Sequence, residues 1–538
     1  MKKIFLCILS AIFLTLSFPK INLSLLAFVA LVPLMLALDG LKAKKCFSLS
    51  YFCGALFFFM VFFWVLFVTR LGTVFLLAFL SLYFGLFGLG YCWLSQKRVL
   101  AKIFLIPALW VSIEYVRAHF LTGFGWALLG HSQYQNLWLI QMADMTGVYG
   151  ISFLVVMVNV IVTEPILLGL KLAETGTSQF HLNATLRKIG AEAVFAKQKP
   201  PLKEFFVSWA IVSLVFGASV VYSLLALKNN FEGPKIKVGV AQGNISLERR
   251  WRPQSRPFIL RDYFAFSEEL VKEKVDLIVW PESSYPGIQG EQPEFFALLK
   301  DFIAETKTPH LIGIITQEGN NYFNSALLFS SQGEVVGRYD KLHLVPFGEY
   351  LPLRKKLPFL AGIVPIDDFL PGNQYTLFKV SQRSEGGKAF FCSVLICFED
   401  TIPELASGFV KNGANLLVNI SNDAWFGDTK EPFLHLQSAV FRSIENRRYL
   451  VRCGNVGVSC FVDPYGRIVS RVEAQGKSAY VSGARAQDVF LINAKTIYTK
   501  FGDFFAYFCI SGILVMAILN SVHRPKKESL AVASAALG

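Results

Sequence analysis

The sequence predicts a multi-spanning α-helical membrane domain of about eight helices joined to an extramembrane α/β domain. The membrane half rests on composition: mean hydropathy is +0.47, and 54% of the 538 residues are hydrophobic. That is too apolar for a water-soluble chain of this length. Runs such as Phe57-Phe58-Phe59-Met60-Val61-Phe62-Phe63-Trp64 offer water nothing to solvate. The α/β half rests on a change of character near Gly233-Pro234, after which short β-branched runs alternate with helical stretches.

Apolar stretches near residues 4–18, 21–38, 46–68, 72–95, 102–118, 146–170, 206–227 and 502–521 are the candidate spans, each needing about 20 residues to cross the hydrocarbon. Lys2 and Lys3 give the first the look of a signal peptide, but Phe18-Pro19-Lys20 offers no small-x-small cleavage site, so it reads as a retained helix. Cytoplasmic loops retain Lys and Arg. Lys2/Lys3, Lys42/Lys44/Lys45, Lys97/Arg98/Lys102, Arg187/Lys188/Lys197/Lys199/Lys203 and Arg524/Lys526/Lys527 all fall on one side of an eight-helix count. The expected division is helices one to seven over 1–230, an outer domain over 231–500, and helix eight with a cytoplasmic tail over 501–538. Both termini are then cytoplasmic; in a two-membrane bacterium the chain sits in the inner membrane with its large domain in the periplasm.

The net charge of +14 raises the possibility of a nucleic-acid partner. Residues 234–500 hold 31 Lys+Arg against 28 Asp+Glu, which leaves 21 against 10 for the remainder of the totals of 52 and 38. The excess therefore belongs to the loops between spans and argues against a nucleic-acid surface. Five of the nine cysteines lie in apolar spans, and Cys392, Cys397, Cys453 and Cys460 have neither CxxC nor metal-ligand spacing. No disulfide framework is expected, with a Cys453–Cys460 pair the weak exception.

In the outer domain, strands are expected at Ile236 to Val240, Leu277 to Trp280, Leu311 to Ile315, Ala326 to Phe329, Phe390 to Ile396 and Asn415 to Ile420, and a helix at Glu431 to Tyr449. Asp463-Pro464-Tyr465-Gly466 is a turn between two further strands. Three runs then place reactive side chains where strands end. Leu277-Ile278-Val279-Trp280-Pro281 leaves Glu282 on the following turn; Arg338-Tyr339-Asp340 leads into Lys341; Val394-Leu395-Ile396 leads into Cys397. Asp400-Thr401-Ile402-Pro403-Glu404 reads as a helix start. A cysteine ahead of free helical N–H groups and near a lysine is expected to favour its thiolate. Glu282 could then take the thiol proton, while Lys341 and the backbone N–H of Phe398 stabilise a tetrahedral oxyanion.

These segments, in this order and spaced 59 and 56 residues apart, resemble the nitrilase superfamily over about residues 235 to 485. The resemblance implies an α-β-β-α sandwich with a Glu-Lys-Cys triad. Inclusion of the membrane half makes the chain similar to the apolipoprotein N-acyltransferase family. Ala241-Gln242-Gly243-Asn244 with Trp251, Pro346-Phe347-Gly348-Glu349-Tyr350, Asn419 to Gly427, Pro107-Ala108-Leu109-Trp110 and Thr122-Gly123-Phe124-Gly125-Trp126 carry that likeness. It implies a phospholipid acyl donor, an S-acyl Cys397, a diacylated lipoprotein acceptor, and neither metal nor nucleotide cofactor. Phe398 stands where some members have Tyr, a change its backbone N–H survives.

The remaining candidates are weighed individually. Glu349 is expected to orient Lys341 or a substrate ammonium, and Glu399 to support the nucleophile or simply to favour a helix start. Trp251, Tyr350, Trp425 and Phe426 are candidate lipid contacts, or else core and interfacial aromatics. Cys392 lies on the face opposite Cys397 and reads as packing. His343 is a weak alternative base, His435 a structural side chain, and Glu114 and Arg117 a pair one turn apart. Leu351 to Tyr375 could dip into the membrane as a lid; no function is assigned to Lys171 to Lys203. The triad itself leaves a hydrolase open, and the spans leave open a transporter with a non-catalytic outer domain.

Overall fold

The computed structural model describes residues 1–186, 202–230, 233–351, 354, 368–382 and 388–522. Most of the proposed lid lies outside them, as do residues 187–201 of the expected Lys171 to Lys203 loop, whose first part instead continues the helix Ala143–Leu186.

Among the described residues, six helices are long and apolar enough to cross a membrane: Ala43–Phe67, Arg70–Leu94, Val99–His119, Ala143–Lys171, Lys203–Ala226 and Phe504–Val522. The first two apolar stretches are shorter than expected. Lys2–Leu16 has 15 residues, roughly 22 Å at 1.5 Å per residue, and the second divides into a 3-10 turn, Ser24–Phe28, and a helix of 7 residues, Val32–Leu38. They nonetheless run up and back. Lys3 Nζ donates to Asp39 O at 3.1 Å, whereas Lys20, between them, approaches Asp428 of the outer domain at 3.9 Å. The long helix from Ala143 bends at once, at Gly147 with φ 64°, where the Tyr498 ring occupies the space a Cβ would need.

The outer domain is a sandwich of two sheets. Its strands are β1 (Lys235–Gln242), β2 (Leu277–Val279), β3 (His310–Glu318), β4 (Asn321–Phe329), β5 (Val335–Asp340), β6 (Phe378–Val380), β7 (Phe390–Ile396), β8 (Leu416–Ser421), β9 (Leu450–Gly454), β10 (Cys460–Val462), β11 (Ile468–Arg471) and β12 (Gly483–Phe490). One sheet runs β12-β1-β2-β3-β4-β5 and the other β11-β10-β9-β8-β7-β6. The central strands β1, β2, β3 and β7, β8, β9 are parallel. Buried on both faces over most of their length, they are largely apolar, with Asn419 on β8 and Arg452 on β9 the buried polar exceptions.

The two-residue period of β2 divides the core. Leu277 and Val279 join the apolar layer between the sheets, whereas Ile278 and Trp280 face helices Arg256–Lys272 and Pro293–Thr306. Helices Pro403–Lys411 and Glu431–Asn446 cover the other sheet. The α-β-β-α order is therefore met. Cys453 and Cys460 are both free; the Cys453 thiol bridges the sheets, with Sγ 3.2 Å from Val279 O. The Asp463 to Gly466 turn joins β10 to β11, closed by Gly466 N–H on Asp463 O at 2.8 Å.

The sandwich rests on one end of the helical bundle. Lys430 Nζ donates to Met60 O at 2.7 Å, Phe426 meets Trp64 edge-on at 4.7 Å, Arg447 pairs with Asp144 at 2.7 Å, and Arg467 donates to Leu227 O at 2.9 Å. Glu114 and Arg117 hold the loop after their own helix. Glu114 Oε1 accepts from Leu129 N–H at 2.6 Å, and Arg117 donates to Phe124 O at 3.1 Å and Trp126 O at 2.8 Å. That loop carries Trp126 against His435, ring centroids 5.0 Å apart, beneath the sandwich.

Candidate active site

Glu282, Lys341 and Cys397 converge where β2, β5 and β7 end. The Glu282 turn approaches β3 so closely that a Cβ on Gly313 would lie 2.3 Å from Pro281 O and 2.6 Å from Glu282 Cα. Only glycine allows that contact. Glu282 Oε1 then accepts from Asn324 Nδ2 at 2.7 Å and Oε2 from Asn422 N–H at 2.8 Å. Lys341 Nζ stands 3.8 Å from Glu282 and 2.8 Å from Glu349. Glu349 also accepts from Asn324 Nδ2 at 2.7 Å and from Val345 N–H at 2.7 Å. Its expected role as the orienting partner of Lys341 thus has a direct geometric basis.

Burial would lower Lys341, but Glu349, Glu282 and Cys397 outweigh it and raise its pKa, so the ammonium is retained. Burial raises Glu282 above the usual carboxylate value, with Lys341 opposing the shift. The expected thiolate at Cys397 is not what the surroundings favour. Burial first, then the charge of Glu282, push the thiol well up, and Lys341 only partly offsets them. The reason is local: Cys397–Thr401 is a single 3-10 turn of 5 residues, and the longer helix begins only at Pro403. Its N–H groups therefore lie too far away to supply the expected field. Cys397 is held as a thiol beside a carboxylate able to receive its proton.

The Cys397 position is strained. Cys397 has φ 53°, a left-handed conformation that costs a non-glycine residue of order 1–3 kcal/mol. A buried polar layer holds it there. The Cys397 carbonyl accepts from Asn419 Nδ2 at 3.2 Å and His435 Nε2 at 3.1 Å. His435 also contacts Asp400 at 2.9 Å and Asp423 at 3.2 Å, and Arg452 reaches Asp400 at 2.9 Å and Asp423 at 3.3 Å. Burial would lower His435, but the two aspartates push it up to about 10, so the ring is a doubly donating imidazolium.

Glu399 lies within the same turn, fully buried. Its carboxylate accepts from Ile396 N–H at 2.8 Å, Leu342 N–H at 2.7 Å, His343 N–H at 3.0 Å and Tyr339 Oη at 2.9 Å. It therefore ties the segment carrying Cys397 to the one carrying Lys341. Burial, opposed by those N–H groups, pushes it up to about 7.

The four aromatic candidates separate. Trp251 and Trp425 are each 50% exposed, Phe426 packs on Trp64, and half-buried Tyr350 closes its loop through its carbonyl, which accepts from Phe347 N–H at 2.7 Å. Cys392 is buried in the core. The His343 ring turns toward Thr122 O at 3.5 Å. Arg250 is among the residues that the sequence reading does not single out. It is buried, its guanidinium stacks 4.7 Å from the Trp251 ring, and among the described residues its Nε and Nη2 have no hydrogen-bond partner. Burial lowers it to about 10, opposed by the charge of Glu282. The adjacent basic pair Arg249-Arg250 before Trp251 was the available signal.

Comparisons with known proteins bear on both halves. A family model for the apolipoprotein N-acyltransferase N-terminal domain matches residues 10–161, and one for carbon-nitrogen hydrolases matches residues 237–486. An apolipoprotein N-acyltransferase of Geobacter metallireducens is 34% identical over 541 residues, covering 96% of each chain. That of Chlorobaculum tepidum is 27% identical and covers 97% of each. That of Methylococcus capsulatus is 31% identical, covering 74% of this chain and 71% of its own. Two matches that divide the chain as its structure does, and a full-length relative of this identity, mean that the chain belongs to the apolipoprotein N-acyltransferase family.

Proposed function

We propose that this membrane enzyme moves an acyl chain from a phospholipid, through a thioester on Cys397, to the α-amine of the diacylglyceryl-cysteine that begins a lipoprotein. The observation that carries the reading is the seating of the Glu282, Lys341 and Cys397 cluster in a sandwich docked on one end of a membrane bundle. Thiol acyl chemistry at a bilayer surface meets acyl esters held in that bilayer. Support for the orientation comes from the loops at the opposite end of the bundle, where Lys42, Lys44, Lys45, Lys97 and Arg98 lie. The reading sets that end in the cytoplasm and the sandwich in the periplasm, with the bundle in the inner membrane.

In the first half-reaction Glu282 takes the Cys397 proton as sulfur attacks the ester carbonyl. The tetrahedral oxyanion is met by the Lys341 ammonium and the Phe398 N–H. Collapse breaks the ester C–O bond, and Glu282 returns its proton to the departing alkoxide of the lysophospholipid. In the second, the neutral amine attacks the thioester and gives its proton to Glu282. The C–S bond then breaks and Cys397 regains its proton, leaving an amide. Raised pKa values at both Cys397 and Glu282 suit this exchange: each group holds a proton more readily than in water, with no persistent thiolate to be oxidised. Arg250, with two unused donors near Glu282, is the cation we assign to the donor phosphate.

Purified protein incubated with radiolabelled phospholipid, with and without a diacylated lipopeptide, tests the reading. Label should appear on Cys397 by intact-mass analysis, then pass to the peptide amine, and Cys397→Ala should abolish both. Free fatty acid in place of N-acylated peptide would make the chain a hydrolase. Undiminished activity in Cys397→Ala would remove the enzyme reading in favour of a binding or transport role.

A further inference from the structure

Away from the Cys397 cluster, three acceptors meet where the sandwich joins the bundle. His119 ends the span Val99–His119. Glu404 lies in the first turn of helix Pro403–Lys411, which follows the nucleophile turn. Asp503 immediately precedes the last span, Phe504–Val522. One ligand atom from each lies within 4.8 Å of the other two.

Two of the three side chains are oriented from behind. His119 Nδ1 is 2.8 Å from Tyr115 O; a carbonyl only accepts, so Nδ1 carries a proton, and Nε2 faces Glu404 Oε1, donating when the ring is charged and offering its lone pair when it is neutral. Asp503 Oδ1 accepts from Tyr498 Oη at 2.7 Å, which turns Oδ2 into the cluster. Asp503 is 3% exposed and its Oδ2 has no hydrogen-bond partner; Glu404 Oε2 has none either. Among the described residues, no Lys or Arg lies within ion-pair distance of either carboxylate. Two carboxylates and an imidazole nitrogen thus face one another, and without a metal only protons carried by these same three groups can hold them together.

We infer that His119, Glu404 and Asp503 bind a divalent first-row cation of the zinc class. One imidazole with two carboxylates suits zinc, whereas calcium and magnesium favour all-oxygen sets. An N–H on a backbone carbonyl and a tyrosine hydroxyl on the second carboxylate oxygen are the outer contacts such sites use to fix their ligands. The charges agree: a neutral imidazole with two carboxylates carries −2, which one such ion cancels. The half-exposed His119 and Glu404 leave an entry path. The ion would act as a clamp, joining a membrane helix, the segment after Cys397 and the base of the last span. Gly125, in the loop following His119, already lies so close to Thr401 O that a Cβ there would stand 3.0 Å from it. Clamping the helix after Thr401 would therefore steady the nucleophile turn against the bundle.

The test uses the full chain in detergent, stripped with chelator and titrated with Zn²⁺ or Co²⁺. One equivalent per chain should bind and raise the melting temperature. Co²⁺ should give visible d–d bands without the thiolate charge-transfer band that coordination by Cys397 would produce. His119→Ala, Glu404→Gln and Asp503→Asn should each weaken binding about tenfold or more, by analogy with the loss seen on removing supporting contacts in metal sites. Tyr498→Phe should weaken it less. The near-isosteric Gln and Asn variants guard against misfolding, with circular dichroism as the control. Absence of stoichiometric binding, binding unchanged in all three variants, or a thiolate band would overturn the proposal. In the first case the carboxylates share a proton, and Asp503→Asn alone should raise the melting temperature.

Discussion

Glu399 exposes no surface, yet it connects the two chain segments that bear Cys397 and Lys341. All its partners are donors, so Glu399→Gln sets an amide NH₂ against at least one N–H or O–H whichever way it turns. A buried unsatisfied donor costs about 1–3 kcal/mol. We expect a lower melting temperature and at least a tenfold loss of kcat, through displacement of Lys341. A pH signature distinguishes this from simple destabilisation. A carboxyl raised from 4.5 to about 7 on folding contributes stability that is fully present below pH 4.5 and lost as pH rises through 7. Thermal melts of the wild type from pH 4.5 to 7.5 should carry that downward slope, and the Gln variant should lack this component. Arg250 calls for a different readout. If its two free donors meet the donor phosphate, Arg250→Ala should raise KM for phospholipid about tenfold, since a charge-assisted hydrogen bond contributes about 1.5–3 kcal/mol, and change kcat little. A loss confined to kcat would place Arg250 with the fold.

At the scale of elements, the Cys397 and Glu282 turns depend on strands whose importance is unevenly visible in sequence. β2, β3, β7 and β8 were legible because they are mainly apolar runs buried on both faces, and Glu282 and Cys397 stood out as candidates because they follow such runs. β5 and β12 were not, since Arg338, Arg485, Gln487 and Asp488 break any clear pattern on half-exposed strands at the edges of one sheet. β9 was obscured by Arg452, whose guanidinium is wholly buried against Asp400 and Asp423. Asn324, Asn419, Asn422 and His435 gain their roles from neighbours distant in sequence, as with Asn422 N–H on Glu282, so no local spacing could announce them. The protonation of Cys397 was misjudged for the same reason: the motif discloses the adjacent turn but not the depth of burial. Gly313 permits a direct test. A Cβ there must displace the Pro281–Glu282 backbone, so Gly313→Ala should slow Cys397 acylation about a hundredfold, as a misplacement of about 1 Å can. Circular dichroism should remain near native, because the remainder of β3 retains its ladder to β4.

Across the whole molecule, the charge pattern of the loops and the docking of the sandwich make independent statements about topology. The ends of the helices that touch the sandwich, near Met60, His119, Asp144 and Leu227, are those the loop charges assign to the outer side. The short first pair fits as well, with Lys20 at the sandwich and Lys3 beside Asp39 at the far end. What composition could not disclose was that this pair falls short of full spanning length, because an apolar run does not reveal where its helix breaks. A bundle with six full spans and one short pair returns the chain to its starting side before every basic loop. If instead the short pair formed a cap lying on one face, the loop at Lys20 would share a side with Lys42 and not with the sandwich. Single cysteines introduced at Lys20, Lys42, Lys97 and Lys477 decide between these arrangements, in a chain whose partly exposed Cys92 and Cys397 have been replaced. With a membrane-impermeant maleimide on cells whose outer membrane has been permeabilised, the cysteines at 20 and 477 should label and those at 42 and 97 should label only after detergent. A cysteine at 20 that labels only after detergent would remove the first pair from the bilayer, and labelling at 42 without detergent would reverse the argument that the loop charges set the orientation.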